Sequence, residues 1–236
     1  MKKTTKTLFF LAACALLWGS VANAKSVRVR VLDSDLAKLP FGGTTADAFS
    51  WVDSKIAAFF DPRIKAALDR SERSAATKEM EAKKAQVRSS LLEFKGQKTG
   101  LENSVVSGEF VHGAEESLVR YQEGNVDHYL LFTGGKLWKY IRALKAEGKF
   151  AARVKGHSRD FGAPSSVKSG KQGITQATWE GDKLVLTIRD LRSVYGTDLL
   201  IVVNKRNWKA ADQRRKAMTK DKGPDIDPEL QGILED

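Results

Sequence analysis

Two short runs, Val126 to Thr133 and Lys136 to Arg142, are separated only by Gly134-Gly135. Both runs are rich in β-branched and aromatic residues, the composition of strands. Glycine at both turn positions allows positive φ, and a two-residue turn of that hand matches the twist of the strands it joins. This commits the middle of the chain to an antiparallel hairpin, and so to a sheet that needs further strands to bury a face. On the first run Val126, His128, Leu130 and Phe132 share a face. On the second, Leu137 and Ile141 are expected to oppose Trp138 and Tyr140.

Other strands follow from the same patterns. Val105 to Val111 and Ser117 to Tyr121 precede the hairpin, and Gly181-Asp182 joins Thr175–Glu180 to Lys183–Arg189. Leu199 to Val203 is five apolar residues in a row, as in a strand buried on both faces. Near the N-terminus Val27, Val29 and Val31 alternate with Arg28 and Arg30, predicting a further strand.

Before residue 96 the period changes from two to 3.6. Thr44 with Asp47 reads as a capped helix start, and Phe49, Val52, Ile56, Phe59 and Phe60 follow at helical spacing. Asp61-Pro62 reads as a break and restart. Ile64, Leu68, Met80, Val87, Leu91 and Phe94 continue the stripe across a polar middle, where Asp69/Arg73 and Glu79/Lys83 are spaced for i,i+4 pairing. Phe150, Val154, His157 and Phe161 predict one helix inside the sheet region, ended by Gly162 with Pro164 beyond. Ser165 to Gly173 reads as a loop.

The fold class expected is therefore α+β: an N-terminal strand and long helical region, an antiparallel sheet with one packed helix, and a C-terminal basic helix. The boundaries are 1–24 for a signal peptide, 25–96 for the N-terminal strand and helical region, and 97–204 for the antiparallel α+β domain. A basic helix at 205–220 and an acidic disordered tail at 221–236 complete the chain.

The signal peptide rests on Lys2, Lys3 and Lys6, the apolar run Leu8 to Trp18, and the small-x-small site Ala22-Asn23-Ala24. Leu11-Ala12-Ala13-Cys14 also resembles a lipobox, but a cut there leaves too short an apolar core. Cleavage after Ala24 takes the chain from 236 residues and +11 to 212 residues and +8. Cys14 leaves with the leader, so the exported chain has no disulfide and no thiolate ligand, and core burial must hold the fold. The localisation expected is exported, periplasmic or secreted, with no transmembrane segment in the mature chain.

The layout resembles one seen in many uncharacterised exported bacterial cell-envelope proteins. The residues that carry the resemblance are the Gly134–Trp138 hairpin, the helix ending in Phe161-Gly162-Ala163-Pro164, and the hairpin of Trp179. The resemblance implies an α+β module in a bacterial envelope setting and brings no activity with it.

Diagnostic catalytic motifs are missing: no G-x-S-x-G, Walker loop, G-x-G-x-x-G or H-E-x-x-H occurs. His112, His128 and His157 lie far apart, and Asp127-His128 on a strand points to two faces. Asp221, Asp225, Asp227 and Glu229 lack calcium-loop register. No catalytic residue, cofactor or metal ligand is assigned.

The segment with most functional content is basic. Lys205, Arg206, Lys209, Arg214, Arg215, Lys216 and Lys220 lie together, interrupted by Trp208 and Met218. Such a helix suits anionic lipid headgroups or other anionic ligands, and export disfavours nucleic acid as its natural partner. The acidic tail is expected to compete for the same cations. Trp138 and Tyr140, if on one open face, would form an aromatic contact surface.

The function expected is that of a non-catalytic cell-envelope interaction or scaffold protein, partnered by an envelope protein or an anionic lipid surface, as an accessory of an envelope machine. The alternative is an anionic-surface or anionic-ligand binder acting through the basic helix. A third reading, hydrolysis of an envelope polymer, needs a carboxylate pair that spacing does not reveal.

Overall fold

The computed structural model of the protein describes residues 38–221 apart from residue 172. The expected leader, the strand over Val27–Val31 and the acidic tail from residue 222 onward lie outside the described residues.

Among the described residues, five helices accompany one eight-stranded antiparallel sheet, so the chain is α+β. The order is α1 (Thr45–Ala66), α2 (Arg70–Ser89), β1 (Leu92–Glu93), β2 (Glu116–Glu123), β3 (Val126–Thr133) and β4 (Lys136–Lys145). Then come α3 (Phe150–Phe161), β5 (Ser166–Gly170), β6 (Gly173–Glu180), β7 (Leu184–Leu191), α4 (Arg192–Tyr195), β8 (Thr197–Asn204) and α5 (Lys205–Asp221). Across the sheet the strands run β1-β2-β3-β4-β8-β7-β6-β5. Two meanders thus meet along their last strands, β4 and β8.

β8 lies at the centre, as its unbroken apolar run predicts. Leu200 and Val202 enter the core on the front face, while Leu199 and Ile201 enter the core on the back. The front face is covered by α1, α2 and α3. The back face is covered by the 94–115 segment and α5.

Helix α1 starts where its capping box predicts. The Thr44 hydroxyl accepts from the Asp47 N–H, and the Asp47 carboxylate accepts from the Thr44 N–H at 2.7 Å. Ala48, Val52, Ile56 and Phe60 recur every fourth residue and are buried, each large one contributing about 1.5–3 kcal/mol. The expected break at Asp61-Pro62 does not occur, because Pro62 lies inside α1. The carbonyl it leaves without a donor belongs to Ala58, an exposed residue that water can serve. The chain turns instead at Ala67–Asp69. There the Asp69 carboxylate accepts from the Glu72 N–H at 2.8 Å, and Glu72 reaches back to the Leu68 N–H at 2.9 Å.

The two helices form an antiparallel hairpin, which redirects the expected charge pairs. Glu79 pairs with Arg63 and Asp53 with Arg88, both between helices rather than along α2. The apolar stripe also stops short, since α2 ends at Ser89 and Phe94 packs in the back core.

Two sequence-based strand assignments change. Val105–Val111 is a series of turns, with Ser107 N–H bonded to Ser104 O and Glu109 N–H to Val106 O. Its apolar residues Val106 and Phe110 are buried from this loop, and Phe110 stacks on Phe94 at 4.0 Å. Conversely, β5 occupies part of the expected Ser165–Gly173 loop. It is an edge strand with every residue exposed, so it carries no apolar alternation to read.

The Gly134-Gly135 turn has φ of 51° and 71°. A Cβ at Gly134 would also collide with the Arg214 guanidinium of α5. Valine at both positions is expected to cost about 2 kcal/mol, from forcing β-branched residues into left-handed backbone. Thermal melting checks this; an unchanged melting temperature would show that the turn does not need its glycines.

One irregularity in this hairpin decides where its aromatics go. Leu131 pairs with Lys139 and Phe132 with Leu137, so Trp138 has no partner and forms a bulge. The pleat skips one residue there. Trp138 enters the back core and Tyr140 the front core. The expectation that they share a strand face is therefore corrected: they lie on opposite sides of the sheet, and because both are buried they form no open aromatic contact surface.

Candidate functional site

The seven basic residues assigned to a surface do not act as one group. Helix α5 advances 100° per residue, and its docking stripe is Asn207, Ala211, Arg214, Arg215 and Met218, all buried or half-buried. Arg206, Lys209, Gln213 and Lys216 project from the opposite side and are exposed. Lys205 pairs with Glu180 at 2.7 Å, and Lys216 with Asp212 at 2.7 Å. The side chain of Lys220 lies outside the described residues. Trp208, half-exposed, flanks the outer stripe.

Of the two arginines on the docking stripe, Arg215 belongs to a buried ionic network on the back face. Arg215 donates to both carboxylate oxygens of Glu116, at 2.5 and 2.9 Å, and to the Glu109 carbonyl at 2.9 Å. The Glu116 side chain has no solvent exposure and also accepts from the Val111 N–H at 3.0 Å. Lys139, buried, donates to the Glu109 carboxylate at 2.9 Å, and Arg189 donates to its other oxygen at 2.8 Å. Burial pushes the Glu109 carboxyl up, but Lys139 and Arg189 outweigh it and hold it below its usual value. Lys139 and Arg215 lie over the Trp138 ring at 4.2 and 4.9 Å. The bulge serves this packing, because it puts Trp138 and Lys139 on the same face. Arg214 reaches outward to Glu115 at 3.4 Å.

A second polar cluster sits under α1 on the front face. The His128 Nδ1 is 2.6 Å from the Tyr140 hydroxyl, and the imidazole stacks on Tyr121 at 4.4 Å. Trp51 packs edge-on against both tyrosines. Burial, then Arg142 and Lys55, lower the His128 pKa to about 4, while Asp127 opposes them. Burial raises Tyr140 to about 12. Beside the cluster a small cavity of about 230 Å³ is floored by Ile56, Phe60 and Tyr121 and rimmed by Lys55 and Lys83. At neutral pH the imidazole is uncharged and acts as a packed hydrogen-bonding group. His157 is half-buried against Phe161 and Trp179, as its place on an apolar stripe predicts.

A wider cavity, of about 710 Å³, opens where β8 passes into α5. Lys136, Lys183, Lys205 and Arg206 line it, with Phe41 and Asn207. Sequence reasoning placed only Lys205 and Arg206 in a site. The missed signal is that each tight turn is followed at once by a lysine: Gly134-Gly135-Lys136 and Gly181-Asp182-Lys183.

The buried carboxylates of the described core, Glu109, Glu116 and Asp198, are each held by Arg or Lys partners. Among the described residues no three His, Cys, Asp or Glu side chains come together to hold a metal ion. No helix among them is long and apolar enough to cross a membrane.

The fold and site together define an α+β chain with an interlocked ionic core and a basic outer surface at α5. No family model, curated protein or solved structure matches the chain.

Proposed function

We propose that this is an exported, non-catalytic interaction protein of the bacterial cell envelope that attaches to an anionic lipid surface through the outer stripe of α5. The observation that carries the reading is the division of labour along α5. Arg215 turns inward onto the buried Glu116 and Arg214 pairs with Glu115 at the rim, whereas Arg206, Lys209 and Lys216 face solvent on a helix fixed to the sheet. A cation that only balances internal charge has no reason to face away. Half-exposed Trp208 supplies the aromatic that such helices place at a headgroup boundary. The leader ending at Ala22-Asn23-Ala24 supports export. The scaffold role follows from the same rigidity, since a helix docked on a sheet can hold one surface while the helical hairpin presents another.

The exported chain is expected to co-sediment with phosphatidylglycerol vesicles at about 0.05 M salt and to be released near 0.5 M, where the Debye length shrinks to a few Å. Each cation near the surface contributes on the order of 1 kcal/mol, so Lys209→Ser with Lys216→Ser is expected to weaken binding about tenfold or more. Both positions are exposed, so the variant should fold normally. Salt-insensitive binding, or equal binding by the variant, would overturn the electrostatic reading.

A further inference from the structure

We propose that the cleft where β8 passes into α5 is a binding site for phosphate groups. The inference rests on the anionic-partner reading for the class of ligand, but it places recognition in a shaped cleft rather than on the helix surface.

Topology builds the site. β4 and β7 both run antiparallel to β8 and flank it on either side. The starts of β4 and β7 therefore lie beside the end of β8. Each of those starts is reached through a tight turn followed by a lysine, and α5 begins with Lys205-Arg206. Four cations from three separate segments are thus brought around one space of about 710 Å³. That space exceeds what one inorganic phosphate fills, and leaves room for a pyrophosphate or a phosphorylated headgroup.

The walls are set before a ligand arrives. The Gly42 N–H donates to the Leu137 carbonyl at 2.8 Å, and the Leu137 N–H donates to the Gly43 carbonyl at 2.9 Å. Asn207 Nδ2 donates to the same Leu137 carbonyl at 3.0 Å, tying α5 to β4 and to the loop that carries Phe41. Gly42, at φ 80°, lies so close to Asn207 that a Cβ there would sit 3.3 Å from the amide nitrogen. A wall held this way loses little freedom on binding, which favours affinity.

The attraction comes from side chains, not from the helix end. The first turn of α5 is already engaged, with Asn207 N–H on the Asn204 side chain and Lys205 N–H on the Lys183 carbonyl. Lys205 shares its charge with Glu180, and Asp182 stands among the cations, so the cleft keeps a positive balance without being uniformly basic. Tetrahedral phosphate oxygens can accept from several walls at once, which a planar carboxylate cannot do as well. Lysine donors act here as point charges suited to phosphate.

The test is a calorimetric titration of the exported chain with inorganic pyrophosphate at about 0.05 M salt, run beside vesicle co-sedimentation. Wild-type protein should bind pyrophosphate saturably at one site. Lys136→Ser with Lys183→Ser, both exposed turn residues, should weaken that binding about tenfold or more while leaving the melting temperature unchanged. Lys209→Ser with Lys216→Ser should leave it unchanged. If the turn variant also loses phosphatidylglycerol vesicles, the cleft takes a lipid headgroup. If it loses pyrophosphate alone, the cleft takes a soluble phosphate. Equal pyrophosphate binding by the turn variant and wild type, or no saturable binding by wild type, would overturn the site. Pyrophosphate binding without any vesicle binding would leave the cleft standing and defeat the attachment reading.

Discussion

Replacing Arg215 by methionine is expected to destabilise the protein by roughly 3–5 kcal/mol, the cost of leaving a buried charge without its partner. The charge left behind is Glu116, whose side chain is wholly out of solvent and takes two hydrogen bonds from Arg215. The Glu109 carbonyl loses a donor as well. For a domain of this size such a loss lowers the melting temperature by about 10 °C. Glu116→Gln combined with Arg215→Met should recover much of the stability, because it removes the uncompensated charge rather than merely the bond. Lys209→Ser, about one and two-thirds turns away on the outer stripe, should change stability by no more than about 0.5 kcal/mol. Urea unfolding of the three proteins checks the set. If Arg215→Met melts like Lys209→Ser, α5 is not anchored through Glu116. The contrast also governs how the basic helix can be probed, since a variant that removes Arg215 reports on folding before it reports on binding.

Acidification from pH 7 toward pH 4 is expected to remove about 3 kcal/mol of stability through His128 alone, because each tenfold difference in proton affinity between the folded and unfolded chain is worth about 1.36 kcal/mol. Burial, with Arg142 and Lys55, brings its folded-state pKa to about 4, against 6.5 for a solvated imidazole. The unfolded chain therefore binds the proton more tightly than the folded one. Stability is fully present above pH 6.5, falls as the pH drops through that interval, and levels off below about 4 as far as this group is concerned. His157, also lowered by burial, adds a slope of the same sign. The lowered carboxylates Glu109, Asp47 and Glu102 act below the usual carboxylate range, so the interval from pH 6.5 to about 4.5 isolates the histidines. Urea midpoints measured across that interval should slope steeply in wild type and much less in His128→Phe. Parallel slopes would show that His128 is solvated and free to titrate.

What could be read from the chain alone follows from short-range rules. Gly134-Gly135 dictated a tight turn because only glycine takes positive φ there without penalty, and β3 and β4 start and stop accordingly. The run Leu199 to Val203 fell at the sheet centre because a strand with no polar side has nowhere else to go. Thr44 with Asp47 fixed the start of α1, and the Phe150–Phe161 stripe fixed α3 to the residue.

Tertiary structure decided the rest. Pro62 stayed in α1 because the packed stripe through Phe60 outweighs one lost hydrogen bond. The bulge at Trp138 separated two aromatics that simple alternation puts together, because back-face packing with Lys139 and Arg215 rewards the extra residue. The basic segment was legible as a run of charge, but not its division into anchors and outward cations. That division depends on carboxylates at Glu109 and Glu116, about a hundred residues earlier, and on which face of the sheet α5 meets. Composition sets how much charge a segment carries. Only the pairing of distant strands sets which of those charges find partners inside and which are left facing the solvent.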